Sequence, residues 1–260
     1  MAKKIIIGNW KMNPLTFKEA EKIFKSVLQA THYKLTAEIV ICPPFIYLES
    51  FSRLLQATRY KLKPSLGAQD AFWEQTGAFT GEVSAEMLYG AGAKYVILGH
   101  SERRAMGEND NDVNQKIKAS LRAGLIPILC VGENVRDENH DYFNLVKTQL
   151  RECLAGVSKN SIAKVIIAYE PVWAISTTIG RKDATAVDSL EMSIFIRKVL
   201  SDKFGSDAEK TKIIYGGSVN EKDAGEFLKN GGVDGLLVGR ASLDAKKFSE
   251  IIHIAENLVK

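Results

Sequence analysis

The stretch VIIAYEP at residues 165–171 decides the fold, because a short and continuously apolar run leads directly into a carboxylate and a proline. A continuous run of this kind, rather than an alternating one, is typical of a strand buried on both faces of a parallel sheet. Similar runs recur at residues 4–8, 38–42, 66–69, 95–98, 126–131, 212–215 and 235–238. The run at 66–69 is the weakest of them. The sequence therefore predicts eight buried parallel strands.

Stretches with helical spacing of apolar residues lie between these runs. In the first of them Ala20, Phe24 and Val27 share one face, and Thr16 with Glu19 forms a capping-box start. The pattern predicts helices over residues 16–30, 144–154, 187–204, 223–229 and 245–258. The alternation of strands and helices predicts the α/β class, as a closed (β/α)8 barrel of eight parallel strands with an outer ring of helices.

Length and composition leave few other possibilities. A chain of 260 residues is compatible with one or two domains, since single α/β barrels often have about 250 residues. No stretch resembles a linker, so we expect a single barrel domain over residues 1–260. The hydrophobic content of 45% and the charged content of 25% are typical of a soluble globular protein.

Charge and cysteine content argue against several classes of function. Basic residues outnumber acidic ones by only 35 to 31 without forming a cluster, so neither a nucleic acid nor a membrane partner is expected. Cys42, Cys130 and Cys153 show no CxxC spacing, which argues against a disulfide framework or a zinc site. The first apolar run is too short for a signal peptide, and no run is long enough to span a membrane. We expect a cytoplasmic protein.

Polar residues follow the predicted strands at their carboxyl ends, where barrels of this type collect their chemistry. Asn9 and Lys11 follow the first strand, His100 and Glu102 the fourth, and Glu170 the sixth. A carboxylate in the position of Glu170 is either a solvated loop residue or a base whose pKa is raised by partial desolvation. Lysine is rarely buried without a partner, so a purely structural role explains Lys11 less easily than it explains the other residues.

A purely structural role is a serious alternative for two of the strand-end residues, His100 and Cys130. A lone histidine is more often a satisfied core residue than a catalytic one. A helix capped by Ser101 would instead place His100 near a helix N-terminus, where the neutral ring is favoured. We interpret Cys130, at the end of the fifth strand, as packing.

Two glycine turns are candidates for binding a phosphate group. Gly217-Ser218 and Gly239-Arg240 each lie between a predicted strand and a helix, after the seventh and eighth strands. Glycine lets backbone N–H groups approach an anion, and barrels often bind phosphate at these two strand ends. The alternative is that both are tight turns that require glycine for conformational reasons alone.

Six motifs, in this order, resemble those of the triosephosphate isomerase family and cover the chain from residue 5 to about residue 243. They are GNWKMN at 8–13, GAFTGE at 77–82, GHSERR at 99–104, YEPVWAI at 169–175, YGGSV at 215–219 and VGRASL at 238–243. The resemblance implies an enzyme that interconverts glyceraldehyde 3-phosphate and dihydroxyacetone phosphate through an enediolate, in glycolysis and gluconeogenesis. It implies neither a metal nor a cofactor.

The resemblance also implies roles for the strand-end residues. Glu170 would remove the carbon-bound proton, and His100 would polarise the carbonyl as a neutral imidazole. Lys11, with Asn9, would stabilise the charge of the enediolate, and Glu102 would support Lys11 and the movement of protons. Phosphate would be bound by Asn9, Lys11, Ser176, Gly217, Ser218, Gly239 and Arg240.

A closing lid follows Glu170 in the family, and here it would comprise Pro171, Val172, Trp173, Ala174, Ile175 and Ser176. The sequence departs from the family in the tip at residues 176–183, which is about three residues longer, and Ser176 replaces a glycine. Arg240 stands where the family often has a second glycine. Residues 105–108 are about one residue short, which predicts a shift of Glu108 relative to Arg103.

The resemblance further implies a homodimer in which residues 69–81 insert into a second subunit. Thr80 would reach the region of residues 9–11 in that neighbour. Independently of the resemblance, the aromatic side chains in this segment would be costly to leave in water, namely Phe72, Trp73 and Phe79.

Two competing hypotheses remain at this point. A different phosphosugar barrel, such as an epimerase or a synthase, would need metal ligands or another acid–base set. Of the four histidines only His100 lies at a strand end, which argues against a histidine-rich metal site. A non-catalytic phosphate-binding barrel is the other hypothesis, and the joint presence of Lys11, His100 and Glu170 argues against it.

Overall fold

The computed structural model describes residues 3–31, 36–60, 63–175 and 182–258. Its strands form a closed barrel in which each strand pairs in parallel with its sequence neighbours and the last pairs with the first. The strands are β1 Ile5–Asn9, β2 Glu38–Cys42, β3 Ser65–Ala68, β4 Ala93–Leu98, β5 Ile126–Val131, β6 Ile166–Tyr169, β7 Ile213–Tyr215 and β8 Gly235–Val238. The predicted fold class and all eight predicted strands are confirmed, within one or two residues at their ends.

Helices surround the barrel and return the chain from the end of one strand to the start of the next. They are α1 Phe17–Thr31, α2 Phe45–Ala57, α3 Ala85–Gly90, α4 Ser101–Ala105, α5 Asp110–Ala123, α6 Asp141–Cys153, α7 Lys159–Ile162, α8 Ala186–Phe204, α9 Ala224–Asn230 and α10 Ala245–Asn257. Short 3-10 segments follow at Val172–Ala174, Gly205–Lys210 and Arg240–Leu243. The predicted helices are all present, and α6 begins earlier than expected, at Asp141 rather than residue 144.

The start of α1 shows why these sequences form helices at these places. Thr16 Oγ1 accepts from the Glu19 N–H, and Glu19 Oε2 accepts from the Thr16 N–H, each at 3.3 Å. This reciprocal pair is the capping box that the sequence predicts. The face opposite solvent buries Ala20, Phe24 and Val27, and the Phe24 ring stacks on Phe51 of α2 at 4.2 Å. The cap and the apolar face together fix α1 against the barrel.

Side chains of the strands divide into two apolar clusters, because successive residues of a strand point to opposite faces. The outer cluster packs between strands and helices. The inner cluster fills the barrel with alternate strand residues, among them Ile5, Ile7, Tyr95, Ile97, Ile128, Cys130, Ile166, Ala168 and Ile214. A residue that continues this alternation beyond the carboxyl end of a strand therefore faces the mouth of the barrel.

Within the ranges given above, no helix combines the length and the apolar character that crossing a bilayer requires.

Candidate active site

The candidate catalytic side chains continue the inward-facing alternation of their strands. Ile166 and Ala168 of β6 belong to the inner cluster, and Glu170 is the next residue of the same parity. Ile5 and Ile7 of β1 lead in the same way to Asn9. Both polar side chains are buried, with Glu170 only 2% exposed. The strand pattern itself thus brings a carboxylate and an amide to the carboxyl-terminal mouth of the barrel.

Glu170 and His100 face each other directly, although they are far apart in sequence. His100 Nε2 lies 3.1 Å from Glu170 Oε1, and the Ser101 N–H donates to Glu170 Oε2 at 3.0 Å. The two atoms are in close contact, but they do not form an aligned hydrogen bond. Among the described residues Oε1 has no hydrogen-bond partner. One oxygen of the carboxylate is therefore anchored and the other keeps a lone pair for a further proton.

The ring of His100 is oriented by the helix that follows it. The Glu102 N–H donates to His100 Nδ1 at 3.2 Å, so His100 is the N-cap of α4 and a neutral ring carries its proton on Nε2. The prediction that Ser101 caps this helix was wrong, since Ser101 is its first helical residue. The imidazole nitrogen accepts the backbone proton that a hydroxyl would otherwise take. The predicted position of His100 at a helix N-terminus is confirmed.

Lys11 adopts a backbone conformation that is uncommon for a residue with a side chain, with φ of 53°. Asn9 Oδ1 accepts from the Lys11 N–H at 3.0 Å, and Gln69 Nε2 donates to the Lys11 carbonyl at 2.8 Å. Lys11 Nζ lies 2.6 Å from Glu102 Oε1. Such a conformation persists only where neighbouring groups fix it, and here both sides of the peptide unit are held. The ammonium group is thereby fixed beside the mouth of the barrel.

The buried thiol beside Glu170 fits the predicted packing role. Burial raises the pKa of Cys130 well above its usual value, and the negative charge of Glu170 raises the pKa further. A thiol in this environment stays protonated at neutral pH and is a poor nucleophile.

A pocket of about 640 Å³ opens at this end of the barrel and joins these side chains to both glycine turns. It is lined by Asn9, Lys11, His100 and Glu170 on one side, and by Gly216, Gly217, Ser218, Gly239 and Arg240 on the other. A Cβ added at Gly239 would lie 3.7 Å from Lys11 Cε, so that turn and the lysine are neighbours. The volume of this pocket lies within the range of small-molecule sites in proteins.

Gly216 is needed for the position of the carboxylate. A Cβ at residue 216 would lie 2.9 Å from Glu170 Cγ, closer than real Cβ atoms approach a neighbouring side chain. The absence of a side chain at this position leaves the space that the Glu170 side chain occupies.

Comparisons with known proteins match this chain along nearly its full length. The model of the family described as triosephosphate isomerase matches residues 4–255. The triosephosphate isomerase of Aquifex aeolicus is 44% identical over 253 residues, covering 96% of this chain and 99% of that protein. That of Dehalococcoides mccartyi is 45% identical over 267 residues and covers both chains completely. The crystal structure of the Bartonella henselae enzyme superposes with a TM-score of 0.84 at 34% identity, covering 97% of this chain and 99% of the other.

The chain belongs to the triosephosphate isomerase family. It is an aldose–ketose isomerase that interconverts glyceraldehyde 3-phosphate and dihydroxyacetone phosphate, a step of glycolysis and gluconeogenesis. The family match, together with a pocket that joins a carboxylate, an imidazole and an ammonium group, excludes the alternatives of another phosphosugar barrel and a non-catalytic one. Among the residues that the structure describes, no three histidine, cysteine or carboxylate side chains are arranged to hold a metal ion.

The segment after Glu170 is anchored by a buried carboxylate whose role the sequence does not indicate. Glu133 Oε1 accepts from the Trp173 Nε1–H and from the Tyr169 hydroxyl, each at 2.8 Å. Pro171 precedes the 3-10 turn Val172–Ala174, and Ile175 lines the pocket. The first half of the expected lid is therefore a hydrogen-bonded turn at the rim of the active site. Ser176 lies outside the described residues.

The structure also shows the contacts at two other positions where the sequence departs from the family, Arg240 and the segment 105–108. Arg240 is exposed at the rim of the pocket and forms no ion pair with any described residue. Arg103 Nε lies 3.2 Å from Glu108 Oε1, so the shorter segment between them still allows this pair. Lys116 joins the same cluster, with its ammonium group 2.8 Å from Asp70 Oδ1 and in contact with Glu108.

The sequence also does not indicate the roles of Gln69 and Gly216. Gln69 follows a predicted strand, as the assigned residues do, but an amide gives no chemical signal that its function is to hold the Lys11 carbonyl. Gly216 belongs to the motif YGGSV at 215–219, but its role depends on the Glu170 side chain that lies opposite. Only the three-dimensional structure shows this contact.

Proposed function

We propose that Glu170 is the base that moves the proton between the two carbon atoms of the substrate. The observation that carries this proposal is the buried Glu170 Oε1, 3.1 Å from His100 Nε2 and without an aligned hydrogen bond to any described residue. A buried carboxylate oxygen with a spare lone pair is suited to take a proton from carbon. This enzyme family is itself a standard example of a carboxylate base acting beside a neutral histidine.

His100 and Lys11 would stabilise the charge that develops as this proton leaves. The proton next to a carbonyl is only weakly acidic, so the oxygen must be met by donors that are already oriented. His100 would donate from Nε2, because Nδ1 is already the acceptor for the Glu102 N–H. Lys11 supplies a positive charge, Asn9 holds its backbone, and Glu102 pairs with its ammonium group at 2.6 Å. Glu170 would then return the proton to the neighbouring carbon.

The phosphate group of the substrate would bind at the two glycine turns. Gly217 and Ser218 follow β7, Gly239 and Arg240 follow β8, and all four line the same pocket as Glu170. Backbone N–H groups at such turns bind anions without a lysine or arginine side chain. We assign Ser176 a supporting contact on the sequence resemblance alone.

The segment from Pro171 to Ser176 would close over the bound substrate. Closure of a lid excludes water and completes the site, as is well known for this family. The hydrogen bond from Trp173 to Glu133 supports this proposal, because it gives the segment a defined anchored state from which to move.

A coupled assay with glyceraldehyde 3-phosphate tests the assignment of the base. Glu170→Asp retracts the carboxylate by one methylene, and we expect turnover to fall by roughly a factor of 10² while the thermal midpoint stays unchanged. Addition of a chelator should leave the rate of the unaltered protein the same. Turnover of the Asp variant equal to that of the unaltered protein would overturn the role of Glu170.

We also propose a homodimer. The segment 69–81 carries Phe79, which is 43% exposed and lies 4.8 Å from the Phe72 ring, while Met12 and Leu15 are 88% and 90% exposed. An apolar surface of this kind is unfavourable in water and is typical of a subunit contact. In the dimer Thr80 would approach residues 9–11 of the neighbour. Sedimentation at micromolar concentration should give a dimer, and a monomer alone would contradict the proposal.

We further propose a single domain and a cytoplasmic location. Strand pairing that closes the last strand onto the first supports the single domain. Cys42, Cys130 and Cys153 are all buried and unpaired, which supports a reducing compartment. Fractionation of the source cells with an antibody to this chain tests the location, and recovery in a non-cytosolic fraction would contradict it.

A further inference from the structure

A second cavity lies at the amino-terminal end of the barrel, opposite the active-site pocket. Its volume is about 420 Å³, and it opens among the first residues of β5, β6 and β7. The wall is mainly apolar and is formed by the side chains of Tyr95, Leu121, Leu125, Ile126 and Ile166. A cavity of this size and composition lies within the range of small-molecule sites in proteins.

Among the described residues that line this cavity, one is a carboxylate, and it already has its partners. Glu38 Oε2 lies 3.3 Å from Lys212 Nζ, and Oε1 lies 3.6 Å from Lys94 Nζ. The Tyr95 hydroxyl donates to Oε1 as well. Partial burial raises the pKa of Glu38, but the hydrogen bond from Tyr95 and the charge of Lys212 outweigh this effect, so the net shift is downward. Glu38 is therefore ionised at neutral pH and compensated by the lysines beside it.

Two further lysines line the cavity without such compensation. Lys164 and Lys210 are exposed at its rim, and neither forms an ion pair with any residue that the structure describes. With Lys212 they place three ammonium groups around one carboxylate. The cavity thus has a surplus of two positive charges, close to the charge of a phosphate monoester at neutral pH, which is about −1.5 to −2.

We propose that this cavity binds a small organic phosphate monoester with an apolar body. The body would lie against Leu121, Leu125 and Ile126, and the phosphate would be bound by Lys164 and Lys210. Lysine binds phosphate as a mobile point charge, so exposed ammonium groups at the rim are suited to this contact. Inner-cluster residues such as Ile128, Ala168 and Ile214 lie between this cavity and the mouth of the barrel, so the two sites are distinct.

The first experiment locates the site and tests both halves of the ligand. 1-Naphthyl phosphate is titrated into the full chain while backbone amide signals are followed by NMR. Gly124 and Ala163 line the second cavity and Gly217 and Gly239 line the active-site pocket, so the two sites report separately. We expect shifts at Gly124 and Ala163 with a Kd about tenfold lower than that of inorganic phosphate or 1-naphthol. Shifts confined to Gly217 and Gly239 would overturn the proposal.

The second experiment removes the two lysines. Lys164→Gln together with Lys210→Gln should raise the Kd at the second cavity by roughly tenfold. Turnover of glyceraldehyde 3-phosphate should not change, because neither residue belongs to the active-site pocket. The matched control is Lys22→Gln with Lys229→Gln, which alters the net charge equally at exposed positions that line neither cavity. Equal loss of binding in the two double variants, or no loss in either, would overturn the proposal.

Discussion

The two ends of the barrel each hold a glutamate on an inward-facing position, but the surroundings of the two carboxylates differ. At the amino-terminal end both oxygens of Glu38 have partners, which include Tyr95 and Lys212. At the carboxyl-terminal end Glu170 Oε2 accepts from the Ser101 N–H, while Oε1 has no aligned hydrogen bond within the described ranges. Glu170 is also the more deeply buried of the two, at 2% exposure of its side chain against 23% for Glu38.

This contrast distinguishes a carboxylate with a structural role from the one that we propose as the base. Hydrogen bonds and positive charges that stabilise the ionised form make a carboxylate a weaker base. Glu38 is stabilised in this way on both oxygens, whereas Glu170 Oε1 has no hydrogen-bond partner within the described ranges. Position on the strand places both residues inside the barrel, and their different partners accompany the different roles that we propose for them.

The sharpest test of the contrast removes one negative charge at each end. Glu170→Gln keeps the shape of the side chain but abolishes the base, so we expect kcat/KM to fall by about 10³. Glu38→Gln should leave kcat/KM within about twofold, since that carboxylate is remote from the pocket. Both variants are measured in the same coupled assay, with circular dichroism to verify folding. A comparable loss of turnover in the two variants would break the comparison between the two ends.

A smaller effect is expected from the partner of Glu170. His100→Gln removes the oriented imidazole donor, and loss of one such donor typically reduces kcat by about 10². Glu170 should remain anchored, because the Ser101 N–H donates to it from the backbone. The measurement is kcat from the same assay, and a decrease of less than about threefold would remove His100 from the proposed mechanism.

Much of this site was predictable from the sequence because strand parity and position determine it. Continuous apolar runs located the eight strands, and the polar residues after them converge at one mouth, as parallel strands require. The weakest predicted run, β3, is also the strand whose pairing with β4 is irregular, with a register shift between Leu66 and Gly67. Gly67 weakens the apolar signal, yet a Cβ there would lie 2.5 Å from Cys42 Sγ, so packing requires the glycine.

The sequence could not predict features that depend on contacts between distant segments. One local feature also differs from the prediction: His100 rather than Ser101 caps α4, because the ring Nδ1 accepts from the Glu102 N–H, a contact that hydrophobic periodicity does not encode. Glu133 receives hydrogen bonds from Tyr169 and Trp173, and this pairing depends on how two neighbouring strands end. Residue type gives the chemistry available at each strand end, whereas the tertiary structure decides which group meets which.

The space around Glu170 gives the next prediction. Gly216→Ala would place a methyl group 2.9 Å from Glu170 Cγ, so the side chain must shift. We expect kcat to fall by roughly tenfold, since catalysis is sensitive to small displacements of a reacting group. Gly225→Ala, on α9, is the matched control, because its new methyl group would meet only the Ile254 side chain of α10, at 3.4 Å. Equal kcat values for the two variants would show that Glu170 tolerates the displacement.

The smallest expected effect is that of Glu38→Gln on the stability of the fold, and it tests the amino-terminal half of the comparison between Glu38 and Glu170. Because the pKa of Glu38 is lowered from its ordinary value of 4.5, its ionised form stabilises the fold above that pH. This stabilisation is lost as the pH falls through the lower pKa of the folded state. Glu38→Gln should therefore reduce the free energy of unfolding by about 1 kcal/mol at pH 7, and the difference from the unaltered protein should shrink below about pH 4.

Urea unfolding at several pH values measures this difference. Glu250→Gln makes the same change at an exposed position and should have little effect at any pH. A difference for Glu38→Gln that stays constant from pH 7 down to about pH 3 would mean that its ionised form is not preferentially stabilised by Tyr95 and Lys212. In that case the contrast with Glu170 would rest on burial alone. A difference that disappears with protonation would show that Tyr95 and Lys212 stabilise the ionised form of Glu38, and would support the structural role that distinguishes this carboxylate from the base proposed at residue 170.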